Sequence, residues 1–465
     1  MNKKKLIYPA AACAALFSPV PATVASEKPN IIYILADDMG YGDLSCYGQK
    51  KFKTPNIDRL ATEGVRFTQH YAGSTVCAPS RCCLMTGLHT GHAQVRGNYR
   101  YRPSGQFPLK EGTQTVPTLL KKNGYVTGAF GKWGLGYPGS SGDPNNYFDQ
   151  FYGFINQSRA HTYYPDYLWN NRKKVKLDGQ TYSHDLIMKA AFDFIKKNRN
   201  KKFFCYIPVQ IPHTDMQAPK NLHDKYRKRF PQFENVIRKK HGRTIKNTVA
   251  AFPAMVEHLD NNVGELMKLL KEMKLDKNTI VIFASDNGPH QAQGHQPEFW
   301  NSGGGMRGIK RDLYEGGIKV PMIARWPGHI KPGTSSGHVS AFWDVMPTLC
   351  DLTGVKTPTG IDGISFAPTL LGKGVQKEHP YLYWEFHRQG GKQALRKGKW
   401  KVVRLNVGEN PGGPVELFNL DKDPFEKNNI AAQHPEIVKE LSSLMAKART
   451  SSPVFKFKPM KKITR

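Results

Sequence analysis

Residues 30–36, Asn-Ile-Ile-Tyr-Ile-Leu-Ala, make an unbroken apolar run that stops at Asp37-Asp38-Met39-Gly40. A run of this kind suits a strand buried on both faces, because a half-exposed strand would alternate apolar with polar residues. The same grammar recurs three times. Gly124–Phe130 leads into Gly131-Lys132-Trp133, Lys202–Val209 into Ile211-Pro212-His213, and Thr279–Ala284 into Asp286-Asn287-Gly288. Between these runs, Asn56–Glu63, Thr115–Lys122, His184–Asn198 and Ala250–Met273 carry apolar residues at helical spacing. Strands alternating with helices predict an α/β fold, a large doubly wound mixed or parallel sheet flanked by helices. Ligands of such sheets collect beyond the carboxyl ends of the strands, and the polar residues just named sit at four such ends.

After about residue 375 the texture changes to short strand-like pieces, Tyr381–Glu385, Gln393–Arg396, Trp400–Leu405 and Glu416–Asn419, closed by an amphipathic stretch at Pro435–Lys447. The expected organisation is a processing segment at 1–25, a catalytic α/β domain at 26–374, and a smaller α+β subdomain at 375–465 with a short antiparallel sheet and a helix. No internal repeat is visible. The N-terminal segment has a basic head (Lys3, Lys4, Lys5), an apolar stretch from Leu6 to Phe17, and a small-residue cleavage site at Thr23-Val24-Ala25. It reads as a signal for export to the periplasm or the medium. Lipid anchoring through Cys13 is the lesser reading, since Ala10-Ala11-Ala12-Cys13 lacks the usual leading leucine. No transmembrane segment is expected once the signal is removed.

The chain carries 68 Lys and Arg against 37 Asp and Glu, a net charge of +31, which attracts polyanions. For an exported protein, sulfated or otherwise acidic glycans fit this charge better than nucleic acid, which is not expected as a partner. The basic stretches Lys225–Arg229, Arg238–Arg243 and Lys456–Arg465 read as solvated faces and tails. Seven cysteines, widely scattered and without a C-x-x-C pair, make neither a disulfide framework nor a zinc site. Cys46, Cys82, Cys83, Cys205 and Cys350 read as small buried hydrophobes.

Asp37, Asp38, Asp286 and Asn287 are hard oxygen donors in two adjacent pairs at two strand ends. Three carboxylates do not crowd together without a cation, because like charges at short range destabilise one another. Calcium, with six to eight oxygen ligands, fits the set, and magnesium is the alternative ion. The chain also contains Cys77-Ala78-Pro79-Ser80-Arg81 followed by Leu84-Met85-Thr86-Gly87. The string Cys-x-Pro-Ser-Arg-x-x-Leu-x-Thr-Gly resembles the signature of type I sulfatases, and further similarity runs through Asp286-Asn-Gly-Pro-His, Arg311–Pro321, Trp326-Pro-Gly, Gln393–Lys401 and Glu416–Pro424. The later strings look like those of bacterial glycan sulfatases of the alkaline phosphatase superfamily.

That resemblance implies a sulfuric ester hydrolase. A maturation enzyme would oxidise Cys77 to formylglycine, whose hydrate attacks sulfate beside a calcium held by Asp37, Asp38, Asp286, Asn287 and residue 77. Arg81, Lys132, His213 and Lys310 match the cationic groups around the bound sulfate, with His213 protonating the leaving alcohol and Asp286 accepting the proton of the nucleophile. One position departs from the pattern. Where the family reads Gly-Lys-Trp-His-Leu-Gly, this chain has Gly131-Lys-Trp-Gly-Leu-Gly136, so the histidine that takes a proton during sulfate release is missing at Gly134. His92 and His290 are the substitutes considered. For the sugar, His161, Tyr163 and Tyr164 form one aromatic cluster, and Trp384, Glu385 and His387 another. His161, His290, Glu385 and His387 are the expected substrate contacts. The expected substrate is a sulfated carbohydrate, a galactose or N-acetylgalactosamine sulfate by resemblance. The alternatives are a phosphonate or phosphodiester hydrolase using the same nucleophile, and a weakly active, basic glycan-binding protein.

Overall fold

The computed structural model describes residues 28–101, 105–240 and 242–459; the signal-like segment, Cys13 included, lies outside them. Ten strands form the main sheet: β1 Asn30–Ala36, β2 Val65–Phe67, β3 Val126–Lys132, β4 Gln150–Phe154, β5 Tyr167–Asn170, β6 Lys173–Lys176, β7 Phe203–Pro208, β8 Thr279–Ser285, β9 Met322–Arg325 and β10 Thr334–Ser336. Their spatial order is β10-β2-β9-β8-β1-β7-β3-β4-β5-β6. The stretch β8-β1-β7-β3-β4 is parallel throughout, while β9, β5 and β6 bring antiparallel pairing to its flanks. The mixed α/β sheet expected from the sequence is therefore present. The four strands whose ends carry polar residues, β8, β1, β7 and β3, are immediate neighbours in it.

The apolar runs are continuous because each strand feeds two cores. In β1, Ile31, Tyr33 and Leu35 enter one core while Ile32, Ile34 and Ala36 enter the other, all at 1% exposure or less. Period-two alternation with both faces covered explains why no polar residue interrupts the run. On the first face pack α2 (Cys77–Thr86), α3 (Val116–Lys122) and α7 (Val345–Thr353). On the second lie α1 (Pro55–Thr62), α4 (Ser183–Lys197) and the long α6 (Thr248–Glu272). Each large aliphatic side chain withdrawn in this way stabilises the fold by about 1.5–3 kcal/mol. Helix α5 (Lys220–Arg229) contains the basic stretch Lys225–Arg229, and its only buried residue is Tyr226. No helix among the described residues is long and apolar enough to cross a membrane.

The smaller sheet consists of β11 Leu382–Phe386, β12 Lys392–Lys397, β13 Trp400–Leu405 and β14 Val415–Asn419, all antiparallel, followed by α8 Pro435–Lys447. One face, with Leu382, Trp384, Phe386, Val403 and Phe418, joins the first core of the main body. The other, with Tyr383, Leu395, Val402 and Leu417, is covered by Leu441 and Met445 of α8. Among the described residues the cysteines are unpaired; Cys82, Cys83, Cys205 and Cys350 are buried as expected, whereas Cys46, in a short helical turn after β1, is only partly buried.

A fully buried charge cluster ties the two parts together. Lys401 Nζ lies 2.9 Å from Glu315 Oε1 and 2.9 Å from Glu426 Oε1, while Tyr71 Oη donates to Glu315 Oε2 at 2.6 Å. Arg396 in turn donates to Tyr71 Oη. Lys401 is 0% exposed and carries two carboxylates that water cannot reach. Replacing it by methionine keeps the volume and strands both acids. The expected outcome for Lys401→Met is a loss of about 3–5 kcal/mol of stability in chemical denaturation, and unchanged stability would contradict this account of the junction.

Candidate active site

The strand register builds the site. Ala36 pairs with Ser285, so the residues that follow, Asp37-Asp38 after β1 and Asp286-Asn287 after β8, emerge side by side. The Asp286 backbone N–H donates to Ala36 O (3.0 Å), and the Asp38 N–H donates to Asp286 Oδ1 (3.1 Å). Asp38 has φ of 63°, a left-handed conformation of the sort found where function rather than propensity sets the backbone. Lys132 is the last residue of β3, and its Nζ reaches across to Asp37 Oδ2 at 2.5 Å. Gly131 makes this reach accessible: its φ is +135°, and a Cβ there would stand 2.0 Å from Pro208 O of β7. His213 follows β7 in a loop pinned by Tyr163, whose hydroxyl donates to Gln210 O (3.0 Å) and His213 O (2.5 Å).

Cys77 and Arg81 open α2 and, four residues apart, share a face of the helix. Arg81 donates to Asp286 Oδ2 through Nε (3.1 Å) and Nη2 (2.8 Å), and to Lys132 O through Nη1 (2.5 Å). Cys77 Sγ lies 3.4 Å from Asp37 Oδ1 and 3.4 Å from Lys310 Nζ. Lys310 also donates to Asp38 Oδ1 at 2.5 Å and stands 3.1 Å from His213 Nε2. Asp37, Asp38, Asp286, Asn287 and Lys132 are all 0% exposed. The seven polar residues matched by the signature and the strand ends therefore occupy one buried cluster with residue 77.

Three carboxylates face three permanent cations, and the balance sets their protonation. Burial alone would raise Asp37 and Asp38. For Asp37 the charges of Lys132, His213 and Arg81 outweigh it, for Asp38 those of His213 and Lys310, and both carboxyls lie well below their usual range. Asp286 goes the other way, to about 6, because burial and the neighbouring Asp37 charge exceed the effect of Arg81. Burial, reinforced by Asp37, pushes the Cys77 thiol to about 12. A thiol so far from ionisation is a weak nucleophile as it stands. Burial lowers His213 to about 4. Its Nδ1 lies 2.9 Å from Thr214 O and must donate there, leaving the Nε2 lone pair toward Lys310.

Two buried oxygens at the centre of the cluster, Asp38 Oδ2 and Asn287 Oδ1, have no hydrogen-bond partner among the described residues. Ligand atoms of Asp37, Asp38, Cys77 and His213 lie within 4.8 Å of one another. Unpartnered buried oxygens are costly unless something completes them. A hard divalent cation fits this donor set, which is carboxylate and amide oxygen apart from residue 77 and His213.

Asp38, His213 and Lys310 carry the cluster to the floor of a cavity of about 550 Å³. His161 and His290 both line it, as expected. The His161 ring stacks on His213 with centroids 4.3 Å apart, and His290 Nε2 is 3.9 Å from Asp38 Oδ2. His387 lines it too, but Glu385 does not. Both oxygens of Glu385 are held inside the fold by Arg96 (3.1 Å) and Arg449 (2.7 Å), and the side chain is 0% exposed. Tyr163, Tyr164 and Trp384 are structural. Tyr163 supports the His213 loop, Tyr164 packs beneath Arg243, and Trp384 Nε1 donates to Ala72 O. His92 lies past the far end of α2, where its Nδ1 meets Asp362 Oδ1 at 2.9 Å; a ten-residue helix, about 15 Å long, separates that end from Cys77. Gln157, Arg311, Arg388 and Lys456 also line the cavity without having been singled out by sequence. Arg311 had a local signal in its adjacency to Lys310, and Lys456 one in the basic stretch Lys456–Arg465.

Known proteins agree with this geometry. The sulfatase family model matches residues 29–355, and a model described as the N-sulphoglucosamine sulphohydrolase C-terminal region matches residues 308–451. An N-acetylgalactosamine-6-O-sulfatase of Bacteroides thetaiotaomicron is 30% identical over 91% of this chain and 94% of its own. The human N-acetylgalactosamine-6-sulfatase is 29% identical over 91% of this chain and 86% of its own. The crystal structure of Ps i-CgsB superposes with a TM-score of 0.79 at 29% identity, over 93% of this chain and 95% of the other. Agreement of that extent, in the sheet that carries the buried cluster as well as in the smaller C-terminal one, makes this chain a member of the sulfatase family, a sulfuric ester hydrolase.

Proposed function

We propose that this chain is an exported hydrolase of carbohydrate sulfate esters, with galactose or N-acetylgalactosamine sulfate as the sugar, acting through a formylglycine made from Cys77 by a maturation enzyme and through a bound calcium. The observation that carries the reading is the position of residue 77. Its Sγ is 3.4 Å from both Asp37 Oδ1 and Lys310 Nζ, and Lys310 in turn lines the cavity together with Asp38 and His213. Relatives named for N-acetylgalactosamine 6-sulfate support the choice of sugar. A sulfate rather than a phosphodiester is supported by the same relatives and by the family match.

When present, formylglycine supplies a hydrated aldehyde as nucleophile, and calcium supplies positive charge to a sulfate oxygen. Asp37, Asp38, Asp286 and Asn287 would hold the cation. Arg81, locked by Asp286 and the Lys132 carbonyl, keeps the carboxylates in register. Lys132 and Lys310 neutralise the sulfate oxygens and the charge that develops as the ester bond breaks. Asp286, engaged through Oδ2 by Arg81, is the carboxylate that would accept the proton of the nucleophile. Lys310 stays charged and donates to the unprotonated Nε2 of His213, 3.1 Å away, which holds the ammonium where the pair can protonate the departing alcohol.

His161 takes the part left vacant at Gly134. A side chain at 134 would meet Gln157 Oε1, which lies 2.8 Å from a Cβ built there, at a φ of +81°. His161 Nε2 is buried without a partner among the described residues and belongs to the ring stacked on His213. His290 is the poorer base: the Ala292 N–H donates to its Nδ1 at 2.9 Å, so Nε2 carries the proton and can only donate.

Three outcomes test the reading. Peptide mass spectrometry of active enzyme should find residue 77 about 18 Da lighter than cysteine, the change from thiol to aldehyde; a fully unmodified thiol in active protein would sink the mechanism. Asn287→Leu removes one unpartnered oxygen, and elemental analysis should then show calcium lost from the purified protein while the wild type retains it; equal metal content would take Asn287 off the ligand set. His161→Ala should lower kcat by on the order of 100-fold with partial recovery in added imidazole, the size expected of a lost general base. An unaffected kcat, or the same defect confined to KM, would return His161 to a binding role.

A further inference from the structure

The wall of the cavity above the buried cluster is made of cations from four separate parts of the chain. Arg100 comes from the loop beyond α2, Arg311 from the segment after Lys310, Arg388 from the turn between β11 and β12, and Lys456 and Lys458 from the C-terminal tail. Asp38, on the floor, is the one acid among the described residues that lines the space. The side chains of Arg100, Arg311, Lys456 and Lys458 are exposed and make no hydrogen bond or ion pair among the described residues. Elsewhere the buried cations are matched by carboxylates, as Lys132, Lys310 and Lys401 show.

The basic tail is therefore not simply a solvated end. Arg449 Nε holds Glu385 Oε2 at 2.7 Å, Arg96 Nη1 holds Thr450 O at 2.7 Å, and Phe455 is 5% exposed, packed against Phe107, Tyr99 and His387. Phe457 stacks on His387 with centroids 4.7 Å apart. These anchors fix Lys456 and Lys458 where they face the opening. Arg311 is held as firmly: its backbone adopts φ of 82°, with its N–H donating to Thr75 Oγ1 at 2.8 Å. Non-glycine residues in that region cluster at ligand sites, where surrounding structure maintains the strain.

Four uncompensated positive charges around one opening repel each other and gain only when an anion enters. The scissile sulfate does not use them, because Arg81, Lys132 and Lys310 already serve the floor. The cavity, at about 550 Å³, lies in the range of about 300–1,000 Å³ that takes ligands well beyond a single small group. We infer that the rim formed by Arg100, Arg311, Arg388, Lys456 and Lys458 binds a second anionic substituent, so that the substrate is an oligosaccharide carrying a sulfate ester or carboxylate on a sugar next to the one that is desulfated. This rests on the sulfatase reading above and narrows its substrate class.

The test separates the rim from the catalysis. Binding is measured by calorimetry on the full chain carrying Cys77→Ala, with four probes: N-acetylgalactosamine 6-sulfate alone, and disaccharides in which the neighbouring sugar is neutral, carries a carboxylate, or carries a sulfate ester. At low salt the two anionic-neighbour disaccharides should bind at least tenfold more tightly than the neutral-neighbour one. The advantage should shrink as salt shortens the screening length. Adding Lys456→Ala and Lys458→Ala, or Arg100→Ala alone, should remove most of that advantage while costing the monosaccharide far less. The stronger of the two anionic arms identifies whether carboxylate or sulfate is read. Equal affinity for neutral and anionic neighbours, or an advantage unmoved by the rim substitutions, overturns the inference. If wild-type enzyme released sulfate from none of the probes while the affinity difference persisted, the sulfatase reading would fall and the anion-binding rim would stand.

Discussion

Everything in this molecule is arranged around a set of charges that cannot be separated from one another. Asp37, Asp38 and Asp286 lie beyond the reach of water, and each would be forced toward protonation if it were alone. Lys132 at 2.5 Å from Asp37, Lys310 at 2.5 Å from Asp38 and Arg81 at 2.8 Å from Asp286 offset that cost. The compensation is incomplete, since Asp38 Oδ2, 3.2 Å from His213 Nε2, and Asn287 Oδ1 have no hydrogen-bond partner among the described residues. That remainder is where a divalent ion fits. Burial holds the Cys77 thiol protonated, while the charge of Asp38 keeps Lys310 protonated beside it.

The scaffold's task is to hold these charges close without letting water in. A parallel sheet does so because its strands end together at one edge, and the right neighbours are adjacent: β8, β1, β7 and β3 each deliver one part of the cluster. Helix α2 supplies Cys77 and Arg81 from above, on one helical face. A second buried charge set, Lys401 with Glu315 and Glu426, performs an analogous service at the junction with the smaller sheet. It fixes the C-terminal part against the segment that contains Lys310 and Arg311, so the wall of the cavity is as well positioned as its floor.

Most of the floor was legible in the sequence, because strand ends and the Cys77 string are local patterns. The main strands and helices fell within a few residues of their observed limits for the same reason. Trp400–Leu405 and Pro435–Lys447 coincide with the observed elements. The flanking strands Gln150–Phe154, Tyr167–Asn170, Lys173–Lys176 and Thr334–Ser336 were not read, since short or polar strands lack a continuous apolar run. Glu385 was read as a substrate contact and is an internal anchor, because Arg96 and Arg449, 289 and 64 residues away, converge on it. The identity of the histidine standing in for the one absent at Gly134 was equally hidden. Of the two substitutes considered, His92 is carried by α2 to the far end of the helix, while His290 lines the cavity.

The sequence by itself determined the sheet, the family and the chemical character of the floor, for these depend on patterns within a few neighbouring residues: apolar runs, their polar ends and one extended motif. The tertiary structure alone decided which histidines line the cavity, which acids are structural, and that an ostensibly solvated basic tail lines that cavity too. Those outcomes depend on which distant segments share a volume. Packing settles that through two cores, a strand register and a handful of buried ion pairs, none of which is encoded at any one position.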